Sequence, residues 1–244
     1  SSGAQCSEQV VAQRRIIAQS RGRGPPQGLP CAPGQGPTGM KPPPPLEVSD
    51  LSHDGRGVAR RDGKTVFIAG ALPGEQVRCR VTRARARFDE AQLLEVLRPS
   101  PQRRAPPCPH FGHCGGCTLQ HLSDDAQLAA HQRQLAGALE RIAGLQPGQW
   151  LEPVASDPFG YRARARLAVA WDPGTRRGAL GFRRGAPRVG GTLDSCPVLA
   201  PAAGALIAPL AALIATLVAP GQVRGLGLAT GEPGLALGVA CAPA

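Results

Sequence analysis

The sequence predicts a small closed β-barrel of OB-like type followed by an α+β domain. Residues 46–98 hold five short runs of alternating apolar and polar residues, separated by turn signals. Residues 99–244 hold one helix with recognisable ends and two hairpin patterns. A chain of 244 residues is long enough for both parts to bury a core.

The first 45 residues predict no folded element. They are rich in glycine, proline, glutamine and arginine and lack a sustained apolar period, which predicts a disordered leader over residues 1–45. Met40 is the single methionine of the chain and is our candidate for the native start. Because the C-terminal end after Cys241 is equally abrupt, we expect the chain to be a fragment.

The barrel prediction rests on regular strand spacing. The expected strands are Leu46–Val48, Gly57–Arg60, Thr65–Ile68, Gln76–Thr82 and Ala91–Leu97. Asp54-Gly55, Asp62-Gly63 and Pro73-Gly74 mark turns between them. Five strands at this spacing indicate a small closed barrel.

The second domain begins after a linker, Pro99–Pro107. A helix begins at Ser123 or Asp124 and ends at Gly144. Its apolar stripe, which we expect to face the core, consists of Leu128, Leu135, Leu139 and Ile142. The hairpins pair Arg162–Trp171 with Gly178–Arg183 and Val223–Ala229 with Gly234–Val239.

The uncharged run Leu199–Pro220 is long enough to be considered as a membrane span. It is rich in alanine and interrupted by prolines, so we predict a buried core helix kinked at Pro209. The N-terminus shows no secretory signal, since Arg14 and Arg15 break its apolar stretch. We therefore expect a cytoplasmic protein that does not enter membranes.

A net charge of +11 and a pI near 10.3 indicate a polyanionic partner. Arginine provides almost all of the positive charge, and it binds phosphate bidentately and stacks on bases. Phe67 and Phe88 lie among the barrel arginines and suit stacking on single-stranded nucleic acid, unless both rings fill the barrel core. The alternative interpretation is that the basic residues form an ordinary solvated face without a bound partner. The candidate RNA-binding residues are Arg56, Lys64, Arg83, Arg85, Arg87, Arg162, Arg164, Arg166, Arg183 and Arg184.

Cys108, Cys114 and Cys117 form the strongest chemical signal, a C-x5-C-x2-C cluster. Clustered thiols in a reducing compartment indicate a metal site. Cys196 is the candidate fourth ligand, while His110 and His113 compete for that place and would favour zinc. The spacing alone leaves zinc and an iron–sulfur cluster open. Cys79 lies within a barrel strand and is expected to be a small buried hydrophobic residue.

A basic barrel followed by this cysteine loop and then Gln120-His121 resembles the RNA uracil-C5 methyltransferase family, particularly its iron–sulfur members that act on 23S ribosomal RNA. Further matching segments are Leu51–Ala59, Tyr161–Leu167, Leu180–Arg183 and Cys196–Leu199. The resemblance covers Leu46 to about Val239. It implies that residues 46–98 are a TRAM domain and that residues 99–244 are the family's central domain.

The resemblance also implies the cofactors and the chemistry. Cys108, Cys114, Cys117 and Cys196 would hold a [4Fe–4S] cluster. S-adenosylmethionine would be bound by a Rossmann-like catalytic domain that this sequence lacks, so we assign no catalytic residue. The expected product is 5-methyluridine in 23S ribosomal RNA, and no obligate protein partner is evident. Two alternatives stay open: a non-catalytic RNA-binding module with a structural metal, and a TRAM-containing radical S-adenosylmethionine methylthiotransferase.

Overall fold

The barrel is visible in a computed structural model that describes residues 43–172, 177–183, 193–216, 223–232 and 234–241. Its strands are β1 (Leu46–Leu51), β2 (Gly57–Arg61), β3 (Lys64–Ala69), β4 (Gln76–Ala84) and β5 (Phe88–Arg98). They close in the order β1-β2-β3-β5-β4, and only β3 and β5 run parallel. The predicted five-stranded closed barrel is confirmed.

The barrel interior is aliphatic. Its buried residues are Leu46, Val48, Ala59, Val66, Ile68, Ala71, Val77, Cys79 and Ala91. Cys79 is 1% exposed, which confirms that it is a small core residue. Phe67 and Phe88 are partly exposed and do not belong to this core, so the alternative in which both rings fill the barrel is wrong. The reason is register, because Phe67 lies between the inward-pointing Val66 and Ile68.

Helix α1 (Asp124–Ala138) continues into a π-helical turn, Leu139–Ala143, and Gly144 ends it with φ 64°. Both predicted helix ends are therefore confirmed. The predicted core-facing stripe is wrong: Leu135 is 53% and Ile142 is 86% exposed, and Ala130 is the buried residue of α1. The helix instead packs through Ala130 on Leu51, Leu72, Leu119 and Leu122.

The two predicted hairpins are confirmed and join into one sheet. Its strands are β6 (Arg164–Asp172), β7 (Arg177–Gly181), β8 (Val223–Gly231) and β9 (Gly234–Cys241). Their order is β7-β6-β8-β9, with every neighbouring pair antiparallel. The predicted turn at Asp172-Pro173-Gly174 lies partly outside the described residues.

Helices α2 (Pro201–Gly204) and α3 (Ile207–Thr216) cover one face of this sheet. The expected single helix kinked at Pro209 is wrong, because the break falls at Ala205–Leu206 and Pro209 lies in the first turn of α3, where proline is tolerated. Gly178 lets α3 approach β7, since an added Cβ would lie 2.5 Å from Cγ2 of Ile214. None of the helices in the part of the chain that the structure describes is both long and apolar enough to cross a membrane.

Candidate metal centre and nucleic-acid surface

All four predicted ligand cysteines line one narrow pocket. Cys108, Cys114 and Cys117 come from the loop between the barrel and α1, and Cys196 comes from the segment before α2. Phe111, Phe182 and Leu193 supply apolar walls. The fold therefore brings together side chains that are up to 88 positions apart in the sequence, counted from Cys108 to Cys196.

Tight turns shape the cysteine loop. The amide of Phe111 donates to the Cys108 carbonyl (3.1 Å), and the Cys114 amide donates to the His110 carbonyl (2.8 Å). Gly112 adopts φ 85°, a conformation that favours glycine. At Gly116 an added Cβ would lie 3.0 Å from the Phe182 ring, so glycine permits the loop to close on the sheet.

Backbone amides point at the sulfur atoms. The Gly116 amide donates to Sγ of Cys114 at 3.3 Å. Burial raises the pKa of Cys114, as it does for Cys108 and Cys196, while amide donors act in the opposite direction at each of these thiols. Burial thus favours the neutral thiol and the amides favour the thiolate, a balance that coordination to a metal would shift towards the thiolate.

The two competing histidines do not line the cysteine pocket. Nε2 of His110 lies 2.7 Å from Oδ1 of Asp194, so the His110 side chain connects the cysteine loop to the segment that carries Cys196. Within the described ranges, no three histidine, cysteine or carboxylate side chains are placed to hold a single metal ion. The cysteines share a pocket without converging on one point.

A buried ion pair joins the barrel to residues 99–123, the cysteine segment between β5 and α1, and sequence reasoning missed it. Glu75 is 0% exposed, and its carboxylate accepts hydrogen bonds from Nε (2.5 Å) and Nη2 (2.8 Å) of Arg103. Arg103 also donates to the Gly70 carbonyl at 2.7 Å. A nearby buried ring, His121, packs on Phe111 with centroids 5.1 Å apart, and burial lowers its pKa to about 4. His121 is therefore neutral near pH 7.

The predicted RNA-binding residues of the barrel fall into two groups. Arg56 pairs with Asp54 at 2.8 Å, and Lys64 pairs with Asp89 at 2.6 Å. Arg83, Arg85 and Arg87, which we call the arginine hairpin, lie at the exposed β4–β5 connection. Among the described residues these three make no ion pair. The arginine hairpin therefore carries three positive charges that no described carboxylate compensates.

The predicted basic face of the central sheet is only partly assembled. Arg164 and Arg166 are exposed and alternate along β6 with buried residues, as expected, and Arg183 is exposed as well. Arg162 precedes β6, and its guanidinium lies 5.5 Å from the centroid of Phe182, beside the cysteine pocket. Arg184 lies outside the described residues.

Comparison with known proteins identifies relatives along most of the chain. A family model described as TRAM domain matches residues 45–94. The chain is similar to the 23S rRNA (uracil(1939)-C(5))-methyltransferase RlmD of Pseudomonas entomophila, with 45% identity over 72% of this chain and 39% of the relative. The enzyme of the same name from Alcanivorax borkumensis is 40% identical over 80% of this chain and 44% of that protein.

A solved structure shows the same likeness. The crystal structure of Pyrococcus abyssi tRNA (uracil-54, C5)-methyltransferase in complex with S-adenosyl-L-homocysteine matches with a TM-score of 0.59 and 26% identity. The match covers 82% of this chain and 46% of that one. The chain thus spans about two fifths of the length of the curated relatives that it matches. Over the part that these comparisons align, the chain is similar to RNA uracil-C5 methyltransferases.

Proposed function

We propose that this chain is the RNA-binding and iron–sulfur portion of an S-adenosylmethionine-dependent methyltransferase that forms 5-methyluridine in 23S ribosomal RNA. The observation that carries the proposal is the 40–45% identity to enzymes of that name over most of the chain. The barrel, residues 46–98, and the central domain, residues 99–244, would hold the substrate in the cytoplasm. The methyl donor is S-adenosylmethionine, and no described residue is assigned to binding it.

The four cysteines are the proposed ligands of a [4Fe–4S] cluster. Four thiols in one apolar pocket, with backbone amides directed at the sulfurs of Cys108, Cys114 and Cys196, form a donor set that suits a sulfur-rich anionic group. When bound, the cluster would cross-link the loop after the barrel to the segment before α2. Closing this long loop stabilises the fold without any redox step.

The metal assignment is tested by anaerobic purification of the chain followed by analysis of iron, acid-labile sulfide and zinc. About four irons and four sulfides per chain are expected, because the four cysteines together would hold one [4Fe–4S] cluster. Cys196→Ser removes one ligand and should lower both contents sharply. Cys241→Ser, at an exposed cysteine outside the pocket, is the matched control and should leave them unchanged. One zinc without sulfide would refute the cluster.

The arginine hairpin is the proposed phosphate contact of the barrel. Its three side chains are exposed and free of ion pairs among the described residues, so each can neutralise an RNA phosphate without first breaking a bond to a carboxylate. The net charge of +11 supports the same partner. Arg164 and Arg166 would extend this contact along the sheet.

Salt titrations of affinity for a 23S ribosomal RNA fragment test this contact. Arg85→Gln should weaken binding and flatten the slope of log affinity against log salt by about 0.7 per lost contact with single-stranded RNA. Arg98→Gln is the control: Arg98 lies at the opposite end of β5 and pairs with Glu47 at 3.4 Å. Equal slopes for wild type and Arg85→Gln would place the RNA elsewhere.

A further inference from the structure

Phe67 and Phe88 lie on the outside of the barrel, whose core contains no aromatic residue. The chain has only five phenylalanines, and the barrel core is built from aliphatic residues and Cys79. Phe67 and Phe88 are nevertheless partly exposed on the outer surface of β3 and β5. Burial in this core therefore does not explain their placement.

The rings form a defined pair. Their centroids are 5.4 Å apart with an interplanar angle of 79°, an edge-to-face contact. The guanidinium of Arg56 lies 4.8 Å from the Phe67 centroid, and its bond to Asp54 holds it there. Phe67, Phe88 and Arg56 together are called the aromatic platform. Arg56 covers the face of Phe67. Phe88 borders the arginine hairpin, and among the described residues no guanidinium stacks on its ring.

The aromatic platform is continuous with the arginine hairpin. Phe88 directly follows Arg87, and the Arg85 amide donates to the Phe88 carbonyl at 3.0 Å, which closes the connection. An aromatic surface next to three unpaired cations matches the two parts of a single-stranded nucleotide, a flat base and a phosphate. Bases in a duplex are stacked and paired, so they cannot offer their faces to such a surface.

We propose that the aromatic platform is a stacking site for an unpaired RNA base, with Phe88 as its contact ring and the arginine hairpin holding the adjacent phosphates. The proposal rests on the RNA-binding function proposed above and adds the recognised feature, an unstacked base in a single-stranded segment. Every base has an aromatic face, so this site selects for strand state and not for sequence.

The test compares two strands of equal length: a short unstructured RNA, and the same sugar–phosphate strand without bases. Phe88→Leu in the full chain should weaken binding of the base-bearing strand by about 5- to 150-fold, the range for loss of one stacked base. It should leave the baseless strand and the salt slope unchanged. Phe88→Tyr keeps the ring and should restore the affinity, and Leu94→Ala, an exposed apolar residue of the same strand, should have no effect.

The outcomes separate this site from the function on which it rests. If Arg85→Gln weakens both strands while Phe88→Leu weakens neither, the RNA surface stands and the stacking site is refuted. If Phe88→Leu weakens both strands equally, stacking is likewise refuted. If neither variant affects either strand, the RNA-binding function of the barrel itself fails. Equal thermal unfolding midpoints for Phe88→Leu and Phe88→Tyr would show that the two variants are folded to the same extent.

Discussion

Glu75 is fully buried, and four donors surround its carboxylate. In addition to both bonds from Arg103, the amides of Leu72 (2.9 Å) and Ser100 (3.3 Å) donate to it. Burial alone raises the pKa of Glu75, but the bonds and charge of Arg103 and the two amides outweigh it, so the pKa lies below the usual 4.5. The ionised carboxylate is therefore the form that the fold stabilises.

Replacing this carboxylate should cost stability in a way that depends on pH. Glu75→Gln leaves Arg103 without a counter-charge at a largely buried site and should lower the free energy of unfolding by about 3 kcal/mol at pH 7. Because the folded-state pKa is lowered, the contribution of the wild-type carboxylate is complete above about pH 4.5 and is lost as the pH falls through that lowered pKa. Urea denaturation at several pH values measures the difference.

The control for this change is an exposed acid. Glu47→Gln removes the partner of Arg98 in a pair whose side chains are 75% and 67% exposed, and it should change stability by less than about 0.5 kcal/mol. A destabilisation by Glu75→Gln that stayed constant down to acidic pH would show that packing, and not the ionised carboxylate, is responsible.

Among elements, the barrel strands were predictable because their signals are local. Alternation in β3 and the turn residues Asp62 and Gly63, with φ 51° and 79°, lie within a few positions of each other. The helix ends were predictable for the same reason. The stripe of α1 was not, because periodicity shows which residues share a face and not what covers it: Ile142 has the expected spacing and is 86% exposed.

Contacts between distant elements account for the other differences. The sequence predicted two separate hairpins, and the structure joins them through pairing of β6 with β8, where Leu167 is opposite Leu226. The three-cysteine loop was recognisable from its spacing, and Cys196 was a candidate because few other cysteines were suitable. The bond of His110 to Asp194 and the contact of Arg162 with Phe182 had no local signal.

On the scale of the whole molecule, the barrel and the cysteine segment share a core. Leu51 and Leu72 belong to the barrel side, while Leu119, Leu122 and Ala130 belong to the cysteine segment and α1. Thr118 and Leu119 also lie within 3.0–3.2 Å of the position that a Cβ on Gly55 would occupy. The Glu75–Arg103 pair reinforces the same junction. The proposed RNA-binding surface and the cysteine pocket are therefore parts of one packed structure.

Truncation of this shared core should loosen both sides together. Leu122 is 5% exposed, and Leu122→Ala should lower the free energy of unfolding by about 3 kcal/mol through lost burial and the cavity it leaves. Hydrogen exchange should become faster in β1 and in α1, because each packs on the same side chain cluster. Ile207→Ala, in the core between α3 and the central sheet, is the matched control and should accelerate exchange in that sheet while sparing β1. Faster exchange confined to α1 in Leu122→Ala would show that the barrel holds its structure independently of the cysteine segment.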